Sequence, residues 1–189
     1  MTLPNILTIF RIIGAFFYLY YGAIEKWHEA SLIFLASAVT DLVDGALARI
    51  LKQHSKLGAF LDPMADKLLV FFSFMTLTAS GFLPVYLTVV VVARDLFITL
   101  GLRYLISQKA QIKYQPTFLS KTTTCFQIGT ILIALILTQK AYLPWVASHE
   151  MWVQTFLSGV CVATTFMTLI TFYQYYRIGL VLLHEARKQ

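Results

Sequence analysis

The sequence predicts an all-α fold, a polytopic membrane bundle of six transmembrane helices with both termini in the cytoplasm. Three observations predict it. First, 58% of the residues are hydrophobic and only 13% are charged, against roughly 25% charged in an ordinary soluble domain. That leaves too few charges to cover a soluble exterior. Second, apolar runs of about 20 residues, the length needed to cross a bilayer, recur at roughly 5–24, 30–51, 59–80, 85–107, 120–138 and 152–176. Third, Lys and Arg fall mostly in the breaks on one side of those runs.

The breaks are legible in order. Glu25-Lys26-Trp27-His28-Glu29 interrupts the first and second runs, and Lys52 to Lys56 separates the second from the third. Gly81 and Pro84 bracket a tight turn before the fourth. The stretch from Gln108 to Pro116 is polar, and Lys140 to Glu150 carries Pro144. No repeat, low-complexity segment or linker divides the chain, so 1–189 reads as a single membrane domain. The first run follows Met1-Thr2-Leu3-Pro4 with no basic segment, so no cleavable signal peptide is expected.

Orientation follows from the basic residues. With a cytoplasmic N-terminus, that side receives Arg49, Lys52, Lys56, Arg103, Lys109, Lys113, Lys121, Arg177, Arg187 and Lys188. The other side receives Lys26 and Lys140. The net charge of +6 therefore serves topology and anionic headgroups, and no nucleic-acid partner is expected. Cys125 and Cys161 lie in apolar stretches without CxxC spacing, which excludes a zinc site or a disulfide framework.

The carboxylates carry the chemistry. Of five aspartates, Asp41, Asp44, Asp62 and Asp66 fall inside the second and third runs. An ionised Asp in mid-bilayer costs about 2.5–3.5 kcal/mol on insertion scales, and four together repel one another. Such a group persists where cations neutralise it or water reaches it. At 100° per residue, Asp41, Asp44, Gly45 and Ala48 lie on one arc of the second helix. Asp62 and Asp66, four apart, share a face of the third. The connection between these runs is short, so the helices are antiparallel neighbours and all four carboxylates reach a similar depth near the cytoplasmic surface. His28, His54, His149 and His184 sit in loops or the tail. An all-oxygen donor set suits Mg²⁺ or Mn²⁺. Four carboxylates on two helices can hold two such ions, an arrangement suited to substitution at phosphorus.

The pattern Asp41-x-x-Asp44-Gly45-x-x-Ala48-Arg49, then eight residues, then Gly58-x-x-x-Asp62-x-x-x-Asp66 resembles the full signature of the CDP-alcohol phosphatidyltransferase family. The resemblance extends over nearly the whole chain. It implies an enzyme that moves a phosphatidyl group from CDP-diacylglycerol to an alcohol and releases CMP. It implies that Asp41, Asp44 and Asp62 bind the metals, and that Asp66 completes the cluster and acts as general base. Asp41, Gly45, Ala48, Arg49 and Gly58 would hold the CDP part of the donor. A homodimer is also implied.

For the acceptor, Arg94, inside the fourth run beside Asp95, and Lys121, at the start of the fifth, are the candidates. Arg94 and Asp95 can alternatively neutralise each other. Leu3-Pro4-Asn5-x-Leu7-Thr8-x-x-Arg11, Ala93-Arg94-Asp95, Pro116-Thr117-Phe118-Leu119-Ser120-Lys121 and Tyr173-Gln174-Tyr175-Tyr176 together resemble members that accept phosphatidylglycerol and form cardiolipin. Glycerol 3-phosphate is the alternative acceptor. An ion or proton transporter is the alternative of a different class. A transporter would spread its acids along a path through the bilayer, whereas these converge near one face.

Overall fold

The computed structural model describes the backbone of residues 3–51, 56–107 and 117–186, and the side chains of 8–40, 65, 67–101 and 117–182. Among the described residues there are seven α-helices and no strand. They are α1 (Leu3–Ala23), α2 (Trp27–Leu51), α3 (Lys56–Ala79), α4 (Val85–Ser107), α5 (Phe118–Thr138), α6 (Pro144–Ser148) and α7 (Glu150–Ala186). Six of these follow the six apolar runs. The additional helix, α6, occupies the polar break around Pro144, whose fixed φ starts a helix well. α7 also continues ten residues past the predicted end at 176.

α5 and the Glu150–Leu182 part of α7 are long and apolar enough to cross a membrane. Less than half of either is buried. Phe10, Phe16, Phe17, Leu32, Val39, Val89, Leu100, Phe156 and Phe166 also present large apolar side chains outwards. Water does not tolerate so continuous an apolar exterior, and the chain is a membrane protein.

The chain forms two compact units. The first comprises 1–82 and 131–150. Here α1 packs against both α2 and α3. The buried stripe of α1 is Thr8, Arg11, Ala15, Tyr18 and Gly22, at helical spacing. Opposite it, α2 buries Ala30, Phe34 and Ser37, and α3 buries Ala65, Leu69, Ser73 and Thr76. Small residues let the helices approach closely. A Cβ on Gly14 would lie 3.1 Å from Ser37 Oγ, and one on Gly22 would lie 3.1 Å from Thr76 Cβ. Tyr18 meets Phe34 at 6.0 Å between ring centroids, and Phe16 meets Phe72 at 5.4 Å.

Both α1 and α3 end in the same way. Phe82 N donates to Leu77 O and Gly81 N to Thr78 O, with Gly81 at φ 79°. Lys26 N donates to Tyr21 O and Glu25 N to Gly22 O, with Glu25 at φ 57°. These paired bonds satisfy the last carbonyls of each helix. Glycine suits the left-handed position in the first case, while Glu25 adopts it at some strain. At this end of the unit Gln139 ties α2 to the end of α5. Its Nε2 donates to Trp27 O and Ser31 Oγ, both at 3.0 Å. His28 stacks on Tyr142 at 4.4 Å, and Lys140 pairs with Glu150 at 3.0 Å. Trp27, Tyr142 and Trp145 gather here, as aromatic residues do at a membrane surface.

The second unit comprises 83–130 and 151–189. α5 and α7 are joined by hydroxyl pairs, Thr123 to Thr171 at 2.6 Å and Thr130 to Thr164 at 2.8 Å. The spacing is seven residues on each helix, so both pairs fall on one antiparallel seam. Phe97 of α4 packs on Phe172 of α7 at 4.7 Å.

The α1–α3 approach has a testable consequence. Gly22→Val places a β-branched side chain against Thr76, and overpacking of this kind costs about 1–3 kcal/mol. Thermal unfolding of the purified variant in detergent is expected at a lower temperature, with Ser80→Ala, outside the contact, close to wild type.

Candidate active site

The candidate donor and metal residues occupy the end of one helix and the start of the next. Asp41, Asp44, Gly45, Ala48 and Arg49 belong to the last turns of α2, and Gly58, Asp62 and Asp66 to the first turns of α3. Their side chains lie outside the described residues. Their positions can still be related to what is described. The buried residues Ala30, Phe34 and Ser37 on α2, continued at helical spacing, lead to positions 41, 44 and 48. On α3, Leu69, Ser73 and Thr76 continue backwards to positions 66 and 62. Positions 41, 44, 62 and 66 thus continue, at helical spacing, the buried stripes of α2 and α3.

A profile of the family described as CDP-alcohol phosphatidyltransferase matches residues 1–166. The chain belongs to this family.

Among curated relatives, it is 35% identical over 188 residues to the protein of Drosophila melanogaster named "Probable cardiolipin synthase (CMP-forming)". That match covers 90% of this chain and 57% of the fly protein. It is 31% identical to the human "Cardiolipin synthase (CMP-forming)", across 94% of this chain and 62% of that protein. It is 36% identical to the "CDP-diacylglycerol--glycerol-3-phosphate 3-phosphatidyltransferase" of Cereibacter sphaeroides, across 79% of this chain and 70% of the bacterial protein. The chain thus spans about three fifths of the length of its animal relatives.

The donor set fits the divalent ions that the family signature implies. It consists of carboxylate oxygens on two helix faces, which suits hard cations. Among the described residues no other group of acidic, His or Cys side chains could hold a metal.

The two acceptor candidates both lie in the second unit. Arg94 of α4 is 6% exposed. Its Nη1 pairs with Asp95 Oδ1 at 2.5 Å, and its Nη2 donates to Ser120 Oγ at 2.9 Å. The guanidinium also lies 5.7 Å from the centre of the Tyr175 ring, within cation–π range. Mutual neutralisation of Arg94 and Asp95, one of the two readings open in the sequence, is what the geometry contains. Among the described residues the buried Nε of Arg94 meets no hydrogen-bond partner. Lys121, the next residue after Ser120, is exposed. Thr117 caps α5 by accepting from Ser120 N at 3.3 Å, and its hydroxyl meets Gln174 at 3.2 Å.

Sequence reasoning did not single out Thr8 and Arg11 as site residues. Both are buried on the α1 stripe, Arg11 at 4% exposure. A lone Arg within an apolar run was the signal available. Ser120 and Tyr175 could not be connected with Arg94 from sequence, because they lie on two other helices, α5 and α7.

The Arg94–Asp95 pair predicts a pattern in stability. Removing one member of a buried pair leaves an uncompensated charge and costs about 3–5 kcal/mol, whereas replacing both by apolar groups is often nearly neutral. Since Asp95 retains 23% exposure, the low end is expected for Asp95→Leu. The double variant Arg94→Met with Asp95→Leu should recover most of the loss in thermal unfolding.

Proposed function

We propose that this protein is an integral membrane phosphatidyltransferase that moves a phosphatidyl group from CDP-diacylglycerol to an alcohol, releasing CMP, in phospholipid synthesis. The observation that carries this reading is the match of residues 1–166 to the family, in a chain whose four signature aspartates fall on the end of α2 and the start of α3. The bilayer is crossed six times by α1–α5 and α7, with both termini, the end of α2 and the start of α3 at the cytoplasmic surface.

In this reaction the acceptor hydroxyl oxygen attacks the phosphorus that bears diacylglycerol. A new P–O bond forms, the P–O bond to CMP breaks, and the hydroxyl proton passes to Asp66. Asp41, Asp44 and Asp62, completed by Asp66, hold two divalent ions, Mg²⁺ or Mn²⁺. When bound, those ions supply charge stabilisation to the attacking and leaving oxygens. Asp41 also contributes to donor binding. Gly45, Ala48 and Gly58 leave room for the cytidine part of the donor, and Arg49 binds its diphosphate. Orienting donor and acceptor in line is the main work of such a site, because proximity alone can supply about 7–11 kcal/mol of the barrier.

The acceptor is phosphatidylglycerol, held by Arg94 and Lys121, and the product is cardiolipin. The names of the fly and human relatives support this. Glycerol 3-phosphate is the second reading, favoured by the name of the Cereibacter relative. The protein works as a homodimer.

Purified protein is expected to release CMP from CDP-diacylglycerol only with Mg²⁺ or Mn²⁺ and an alcohol present. Asp62→Asn and Asp66→Asn should each lower turnover by about a hundredfold or more, with the variants still folded by circular dichroism. Full turnover in either variant refutes the assignment. Offering phosphatidylglycerol and glycerol 3-phosphate with labelled donor, and identifying the lipid formed, decides between the acceptors.

A further inference from the structure

The helix contacts of the first unit fix the level of Arg11 against the carboxylate positions. α1 and α2 run antiparallel, and Gly14 stands against Ile33 and Ser37 while Tyr18 meets Phe34. Arg11 lies three residues before Gly14, roughly 4.5 Å along the axis, and Asp41 lies four residues beyond Ser37, roughly 6 Å along the axis. The two therefore stand at about the same level. α1 and α3 run parallel, with Phe16 against Phe72 and Gly22 against Thr76. The same offset brings Arg11 level with position 66. Thr8, one turn earlier, is level with positions 44 and 62.

The face is fixed as well as the level. Arg11 lies on the buried stripe of α1, between Thr8 and Ala15, and this helix packs against both α2 and α3. Positions 41, 44, 62 and 66 continue the buried stripes of those two helices at helical spacing. A cation that is 4% exposed, within an apolar bundle, requires compensation by negative charge. Four carboxylates within about one turn of the same depth require positive charge. The two requirements meet at one level of one unit.

We propose that Arg11 is a positioning residue of the carboxylate cluster, a fixed positive charge that lets α1, α2 and α3 pack around the aspartates before any divalent ion arrives. The inference rests on the reading that these aspartates bind Mg²⁺ or Mn²⁺. Arg11 lowers the repulsion among the carboxylates when the metals are away. It also opposes the metals when they come, because like charges disfavour each other at short range. Removing it therefore has two effects of opposite sign: a weaker fold without metal, and tighter uptake of metal.

The test is thermal unfolding of the full chain in lipid nanodiscs, titrated with MgCl₂ alone, for wild type, Arg11→Gln and Arg11→Lys. In EDTA, Arg11→Gln is expected to unfold at a lower temperature than wild type, and Mg²⁺ should restore most of the difference. The Mg²⁺ concentration for half-maximal stabilisation should fall by about tenfold in Arg11→Gln. It should stay within about twofold of wild type in Arg11→Lys, which keeps the charge. An equal loss of stability with and without Mg²⁺, an unchanged midpoint, or failure of Arg11→Gln to fold even in Mg²⁺ overturns the proposal, since each describes a residue needed only for packing. If wild type itself gains no stability from Mg²⁺ or Mn²⁺, the metal assignment falls and this proposal falls with it. A wild type that responds, beside an Arg11→Gln that responds identically, removes the role of Arg11 and leaves the metal assignment standing.

Discussion

The cost of placing charge under a membrane surface organises the first unit. Carboxylates on the ends of α2 and α3 are tolerable only where the helices around them exclude lipid and supply counter-charge. In the proposed site α1 serves both conditions. It contacts both helices, its small residues Gly14 and Gly22 allow close approach, and it carries Arg11 on its buried stripe. The far end of the unit has a different role. There Gln139, Trp27, His28 and Tyr142 hold the starts and ends of helices together through hydrogen bonds and ring stacking. That end also carries the exposed Lys140–Glu150 pair, so its charge lies at the surface.

The second unit handles charge differently. Arg94 is neutralised by the residue beside it on the same helix, and its remaining contacts come from Ser120 and Tyr175. The pair therefore does not depend on an ion from solution. It depends on α4, α5 and α7 keeping their order at that level, since each contributes one part of the cage around the guanidinium.

Much of this was legible in the sequence, and the reasons differ by element. The helices could be read because apolar runs of membrane length leave little freedom: the run read as 85–107 is α4, and the one read as 5–24 is α1 within two residues. The turn at Gly81 and Pro84 was readable from its residue types. Helix α6 was not, because a five-residue helix leaves no periodic signal. The extension of α7 past Tyr176 was not, because the polar residues that seemed to end it are compatible with a helix leaving the apolar layer. The spacing of the aspartates put pairs on common faces. The contacts of α1 then supplied what spacing could not, namely that one helix packs against both α2 and α3. Arg11 was read only as part of a motif near the start of the chain, because a single basic residue in an apolar run has no partner visible in sequence; its level emerges only from the contacts of α1 with α2 and α3.

The threonine seam between α5 and α7 has a mechanical meaning. Thr130 donates to Phe126 O four residues back and accepts from Thr164, while of Thr123 and Thr171 one donates to the other and the acceptor donates to the carbonyl four residues back in its own helix. Each cross-link is thereby anchored to a backbone rather than to a free rotor. Two such rivets, a heptad apart, behave like the teeth of a rack. Sliding one rod along the other by a single turn, about 5.4 Å, would disengage both together and leave four hydroxyls facing methyl groups. Shape changes during turnover in this half of the molecule should therefore be borne by bending or by the neighbouring rod, while α5 and α7 travel as one piece.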